Sequence, residues 1–153
     1  MAEKIHILYV DDEENNLISF KATFRTKFDT TVAISGDEAL KVLASKPIQV
    51  IITDQRMPGM TGVQFLEKVI EKYPDCMRIL LTGYADMTAV IDAVNKGKIF
   101  HYLTKPWNEE ELDKTIKDAY SKYLENEELK KMNKELNTSN DQLEFLLRQR
   151  LLS

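Results

Sequence analysis

Three acidic residues and one lysine stand at the ends of apolar runs in this chain. Asp11 and Asp12 close Ile5-His6-Ile7-Leu8-Tyr9-Val10, Asp54 closes Val50-Ile51-Ile52-Thr53, and Lys105 follows Tyr102-Leu103-Thr104. If these runs are strands of one open parallel sheet, their carboxyl ends gather at one edge, where ligands bind in such sheets. Three carboxylates and one ammonium then converge. Packed carboxylates repel one another and resist ionisation unless a cation joins them. Mg²⁺ takes oxygen ligands and keeps several waters, so it would relieve that repulsion and hold a phosphoryl oxygen. Asp54 is then a carboxylate nucleophile toward phosphorus, forming an acyl phosphate. In-line phosphoryl transfer asks mainly for positioning and charge neutralisation, which Mg²⁺ and Lys105 would supply. Thr82, after a fourth apolar run, can donate its hydroxyl to a phosphoryl oxygen, and Gly83 leaves room for close backbone approach. Taken singly, each feature has a plainer explanation. Acidic pairs charge helix starts, Asp opens turns, and Lys-Pro marks helix boundaries. Their joint placement carries the argument.

The elements that must position these residues alternate along the chain. Short runs rich in Ile, Val and Leu predict strands at 5–10, 30–34, 48–53, 77–81 and 99–103, with the continuous apolar character of strands buried on both faces. Amphipathic periods predict helices at 14–27, 36–45, 62–73, 86–96 and from 108 onward. Ser35 with Glu38 and Thr61 with Gln64 have capping-box spacing. Asn108 is an N-cap candidate, followed by Glu109, Glu110 and Glu111 near the positive end of the helix dipole. Pro47 and Pro74 stand where helices should have stopped. Five strand–helix units imply an α/β fold: a doubly wound, five-stranded parallel sheet with helices on both faces.

The last helix is longer than the sheet needs. No Gly or Pro interrupts 108–153. Leu112, Ile116, Ala119 and Tyr123 keep a period suited to packing on the domain. The phase then slips, and Leu129, Leu136 and Leu143 recur every seven residues, with Met132 and Leu146 at the second position. Ser139 and Arg150 interrupt the pattern. This is a short coiled-coil pattern, which fits pairing with a second copy through the tail. A solvated helix that frays is the other reading. Residues 1–122 are expected to form the domain and 123–153 a helical extension.

Composition limits the alternatives. A chain of 153 residues suggests one domain. Net charge is −4, and 121–153 carries six basic and six acidic residues, so the acid excess lies in the body. No basic block or stripe appears, which argues against direct nucleic-acid binding. Cys76 is the only cysteine, so no intrachain disulfide forms and a reducing cytoplasm is the natural setting. No run approaches the ~18 apolar residues of a membrane span, and the N-terminus lacks a signal-peptide pattern. There is no glycine-rich phosphate-cradling loop. His6 and His101 have no second histidine nearby and are expected to pack in strands. Met57, Met60 and Trp107 are expected to pack as well.

These residues closely resemble the receiver domain of two-component response regulators. The matching pieces are Asp11-Asp12, the loop motif Asp54-x-x-Met57-Pro58-Gly59-Met60-x-Gly62, Thr82-Gly83, and Tyr102 with Lys105-Pro106. They cover about residues 4–122. The resemblance implies a flavodoxin-like sheet in the order 2-1-3-4-5. It implies that Asp54 accepts a phosphoryl group from a histidine kinase or histidine phosphotransfer protein. Asp12 and Asp54 would bind Mg²⁺ directly, Asp11 through water, and the backbone carbonyl of Arg56 would complete the protein ligands. Lys105 would pair with the phosphoryl group, and the Lys105-Pro106 peptide would be cis. Thr82 and Tyr102 would form the switch, moving the surface of the fourth helix, fifth strand and fifth helix and so the tail. Arg56 and Tyr84 would modulate water access to the acyl phosphate. The stretches around Thr82-Gly83-Tyr84 and His101-Tyr102 resemble receivers joined to HD-GYP phosphodiesterases or hybrid kinases.

Two other function classes compete. A Mg-dependent aspartyl-phosphate phosphohydrolase of the haloacid-dehalogenase type needs Asp-x-Asp after its first strand. Here the nucleophile candidate follows the third, and its neighbour two positions on is Arg56. A phosphorylation-independent interaction module would not need the full pocket set.

Overall fold

The computed structural model describes residues 4–83 and 87–152. Its elements are β1 (His6–Val10), α1 (Glu14–Phe24), β2 (Asp29–Ala33), α2 (Gly36–Ser45), β3 (Val50–Asp54), α3 (Gly62–Lys72), β4 (Met77–Thr82), α4 (Met87–Asn95), β5 (His101–Thr104) and α5 (Glu109–Leu152). The five strands form one sheet in the order β2-β1-β3-β4-β5, and every neighbouring pair is parallel. This is the doubly wound, flavodoxin-like arrangement.

Strand side chains alternate between the two faces, and each face buries its own cluster. Leu8, Val10, Ile51 and Leu80 pack under α2, α3 and α4 with Leu43, Phe65, Val69 and Val90. Ile7, Tyr9, Val50, Ile52, Ile79 and Leu81 pack under α1 and α5 with Phe20, Phe24, Leu112 and Ile116. All five residues of the central strand β3 are buried. Burial on both sides is why these strands read as unbroken apolar runs.

The caps hold the helix starts. Thr61 and Gln64 exchange both bonds of a capping box. Ser35 accepts from the Glu38 backbone N–H at 3.1 Å, but the Glu38 carboxylate accepts from the Ile34 N–H at 2.9 Å. The second box is therefore shifted by one residue. The Asn108 side chain accepts from the Glu111 N–H at 3.1 Å.

Helix α1 ends at Phe24, three residues before the expected 27. The Lys27 and Phe28 N–H groups both donate to the Phe24 carbonyl at 2.9 Å, closing a turn. Phe28 is buried and lies 5.7 Å from the Phe24 ring. The helical apolar spacing thus outlasts the helix, because a core aromatic sits in the turn. Strand β3 begins at Val50 and includes Asp54, and β5 spans 101–104 where 99–103 was expected. Ile99, on the approach to β5, is still buried in the α2–α4 cluster.

Helix α5 is continuous over 44 residues, about 66 Å at ~1.5 Å per residue. Leu112, Ile116 and Ala119 are fully buried, and Tyr123 packs at the edge of the same cluster. Lys130 makes an ion pair with Asp75, in the turn before β4. From residue 128 onward the helix is exposed, including Leu129, Met132, Leu136, Leu143 and Leu146. Among the described residues, no helix is long and apolar enough to cross a membrane.

Candidate functional site

The sheet register brings the four strand ends together. Strand β3 lies between β1 and β4, with Val10 opposite Thr53 and Asp54 opposite Leu81, and Thr82 faces Thr104 on β5. Asp11 and Asp12 therefore leave β1 beside Asp54. One carboxylate oxygen from each of Asp11, Asp12 and Asp54 lies within 4.8 Å of the others. From the other side, Lys105 Nζ reaches Asp54 Oδ1 at 2.7 Å.

Asp11 is completely buried and Asp54 is 4% exposed. Burial pushes the Asp54 carboxyl above the usual carboxylate range. Lys105 pulls it back and the charge of Asp11 adds to the rise. Asp11 is held by three donors. Its Oδ1 accepts from the Glu13 backbone N–H at 3.0 Å, and its Oδ2 accepts from the Tyr9 hydroxyl at 2.8 Å and Asn16 Nδ2 at 3.1 Å. Tyr9 and Asn16 were not singled out from the sequence. The available signal was strand alternation, since Tyr9 and Asp11 are two apart and share a face. Asn16 is placed only by the turn into α1.

The loop after β3 is shaped by close packing. A Cβ on Gly62 would sit 2.4 Å from the Asp54 carbonyl oxygen and 2.8 Å from the Leu80 side chain. Only glycine lets α3 start this close to the strand that carries Asp54. Gly59 adopts φ of 81°, a conformation glycine reaches without strain. Buried Gln55 ties the loop shut. Its side-chain oxygen accepts from the Val63 N–H at 2.9 Å, and its carbonyl from the Gly62 N–H at 3.0 Å. Gln55 was also missed, because its side chain satisfies a helix start eight residues on. Met57 is buried and Met60 packs on the same core, as expected.

Thr82 is buried and its hydroxyl donates to the Gly83 carbonyl at 3.0 Å. The Lys105 N–H donates to the Thr82 carbonyl at 3.0 Å, fastening the lysine loop to the end of β4. The Lys105-Pro106 peptide is cis. Trp107 packs between Phe20 and Phe24, with ring centroids 6.0 and 5.7 Å away. Tyr102 is half-buried against the α2–α4 cluster, next to the exposed His101. Arg56 is exposed on the loop after Asp54. Tyr84 lies outside the described residues. His6 is at the opposite edge of the sheet, with Nδ1 3.0 Å from Asp29 Oδ2.

The acidic cluster fits a hard divalent cation. All three side chains offer oxygen, two are desolvated, and their mutual repulsion is only partly offset by one ammonium. Among the described residues, Asp11, Asp12 and Asp54 form the cluster whose oxygens could hold such a cation.

The comparisons with known proteins agree on one family. The model of the response regulator receiver domain matches residues 7–117. The chain is 36% identical over 147 residues to the hydrogenase transcriptional regulatory protein HoxA of Cupriavidus necator, covering 96% of this chain and 30% of that protein. It is 31% identical over 124 residues to the DNA-binding transcriptional regulator NtrC of Escherichia coli, covering 80% of this chain and 26% of that protein. The chain thus spans less than a third of the length of these relatives. Among solved structures, the signal receiver domain of an HD domain-containing protein from Pseudomonas fluorescens Pf-5 superposes with a TM-score of 0.77 at 30% identity. That match covers 84% of this chain and 95% of the other. With the match extending from β1 into α5, the chain belongs to the response regulator receiver domain family of two-component systems.

Proposed function

We propose that this chain is the phosphoacceptor of a two-component phosphorelay, with Asp54 as the residue phosphorylated. The observation that carries the proposal is the buried Asp54 carboxylate, 2.7 Å from Lys105 and within 4.8 Å of the Asp11 and Asp12 oxygens. Such a carboxylate is desolvated, oriented and already partnered by the cation that transfer requires. The donor is the phosphohistidine of a histidine kinase or histidine phosphotransfer protein. An Asp54 oxygen bonds to phosphorus as the phosphorus–nitrogen bond breaks. The donor imidazole keeps the bonding electrons and takes up a proton from solvent. Bound Mg²⁺, held by Asp11, Asp12, Asp54 and the Arg56 carbonyl, would neutralise charge on the transferred group.

Lys105 then follows the negative charge from the Asp54 carboxylate to a phosphoryl oxygen. Thr82 exchanges its bond to the Gly83 carbonyl for one to the phosphoryl group. Tyr102 turns inward behind it, and the α4-β5-α5 surface changes with it, biasing a two-state equilibrium. Arg56 and Tyr84 modulate water access to the acyl phosphate. Residues 1–122 form the receiver and 123–153 the extension, which pairs with a second copy through its leucine stripe and passes the change to an output domain or partner. The setting is cytoplasmic, and the only chemistry expected of the chain is its own phosphorylation and dephosphorylation.

Incubation with acetyl phosphate and Mg²⁺, read by intact mass, tests the assignment. The wild type gains one phosphoryl group, and neither Asp54→Asn nor the metal-free protein does. Failure with both acetyl phosphate and a phosphohistidine donor, in folded protein, would leave a phosphorylation-independent interaction module as the reading.

A further inference from the structure

The acidic pocket is wired to the aromatic core by one side chain. Tyr9 is almost wholly buried and its ring stacks on Phe20, with centroids 4.1 Å apart and planes 11° from parallel. Phe20 in turn meets Trp107, two residues after Lys105. From this fixed position the Tyr9 hydroxyl donates to Asp11 Oδ2 at 2.8 Å. A phenylalanine would fill the same space without that bond.

We propose that Tyr9 is a positioning residue for Asp11, orienting its carboxylate for Mg²⁺. The inference rests on the phosphoacceptor reading and deepens it. Asp11 follows the last residue of β1 and its backbone N–H still donates to the Ala33 carbonyl of β2 at 3.1 Å, but that bond leaves the side-chain torsions free. Its orientation therefore depends on side-chain and turn donors. Glu13 N–H and Asn16 Nδ2 come from the α1 start, whereas Tyr9 ties the Asp11 carboxylate itself to a strand of the sheet. Groups that hydrogen-bond a metal-ligating side chain fix its orientation, and their loss commonly weakens metal affinity 10–100-fold. Tyr9 itself touches neither the phosphoryl group nor the metal, so it acts on Mg²⁺ affinity and leaves the transfer step alone.

The test is Tyr9→Phe in the full chain, read two ways. Calorimetric titration with Mg²⁺ is expected to show an affinity about tenfold weaker than wild type. Acetyl phosphate labelling is expected to need about tenfold more Mg²⁺ for half-maximal rate, with the rate at saturating Mg²⁺ unchanged. A purely structural role would lower thermal stability without moving Mg²⁺ half-saturation, and that result overturns the proposal. So does a loss of maximal rate with wild-type Mg²⁺ affinity. If Tyr9→Phe does not fold, Asn16→Ala removes another donor from the same oxygen at the pocket rim. A wild-type Mg²⁺ affinity there sinks the idea that Asp11 needs positioning. Absence of Mg²⁺ binding and of labelling in the wild type is a separate outcome, which overturns the phosphoacceptor reading and this inference with it.

Discussion

Replacing Asp54 by asparagine should stabilise the metal-free protein and destabilise it relative to wild type once Mg²⁺ is present. Asp54 has two carboxylates with oxygens within 4.8 Å, and at an effective dielectric of roughly 20 each opposes its charge by at least about 3 kcal/mol. Lys105, at 2.7 Å, returns about 6 kcal/mol on the same scale. The pairwise terms nearly cancel, which leaves the burial cost of a carboxylate only 4% exposed uncompensated. The raised pKa has the same sign. A carboxyl whose folded pKa lies above its unfolded value favours the fold below the unfolded pKa, and that contribution disappears as pH rises through the folded value. At neutral pH the charge is therefore a net cost, at least about 1 kcal/mol from the pairwise terms alone, or roughly 4 °C in Tm for a domain of this size. Mg²⁺ at 100 times its Kd adds about 2.7 kcal/mol to the wild type, near 10 °C. The asparagine variant lacks an anionic ligand and gains less. Thermal melts of both proteins at pH 7.5, with EDTA and with saturating Mg²⁺, should show the stability order inverting. A wild type already more stable in EDTA would refute the reasoning, because the Lys105 pair would then outweigh repulsion and burial together.

Further perturbations test the rest of the structure. Gly62→Ala forces a methyl to 2.4 Å from the Asp54 carbonyl, so urea unfolding should show a loss of about 1–3 kcal/mol, and an unchanged midpoint would contradict the close approach. Burial pushes the Cys76 thiol up to about 11, and the thiol donates to the Ile48 carbonyl at 3.0 Å. Reaction with Ellman's reagent at pH 8 should therefore be slow in the folded state and prompt in urea. The same shift predicts that the stabilising contribution of the protonated thiol is complete below the unfolded pKa of 9.0 and is lost as pH rises through about 11. Leu136 and Leu143 are each 59% exposed, so Leu136→Lys with Leu143→Lys should leave the melt of the domain unaltered and shift the chain to monomer in sedimentation velocity. A pair of lysines that leaves the sedimentation coefficient unmoved would remove the tail-pairing proposal.

Much of the candidate site was legible because strands and their ends are local signals. Apolar runs stop at the carboxyl ends of the strands, and the chemical residues are the last of the strand or stand one or two positions beyond. Asp11, Asp12, Asp54, Thr82 and Lys105 could thus be placed at strand ends before any pairing was known. The capping box at Thr61 and Gln64 and the N-cap at Asn108 were equally local. The end of α1 was misjudged because Phe28 keeps the helical apolar spacing from inside a turn. Its burial depends on Phe24 and the sheet beneath, which no window of sequence contains.

What the sequence determined by itself was the alternation of strands and helices and the residue types at the strand ends, because both follow from short-range periodicity and abrupt changes of polarity. The tertiary structure decided distance and partnership. The order β2-β1-β3-β4-β5 set Asp54 between Asp11 and Lys105. The faces of β1 gave Asp11 a tyrosine donor, and the closeness of α3 to β3 made Gly62 irreplaceable. Those outcomes depend on contacts between residues far apart in the chain, formed only when both layers of helices close over the sheet.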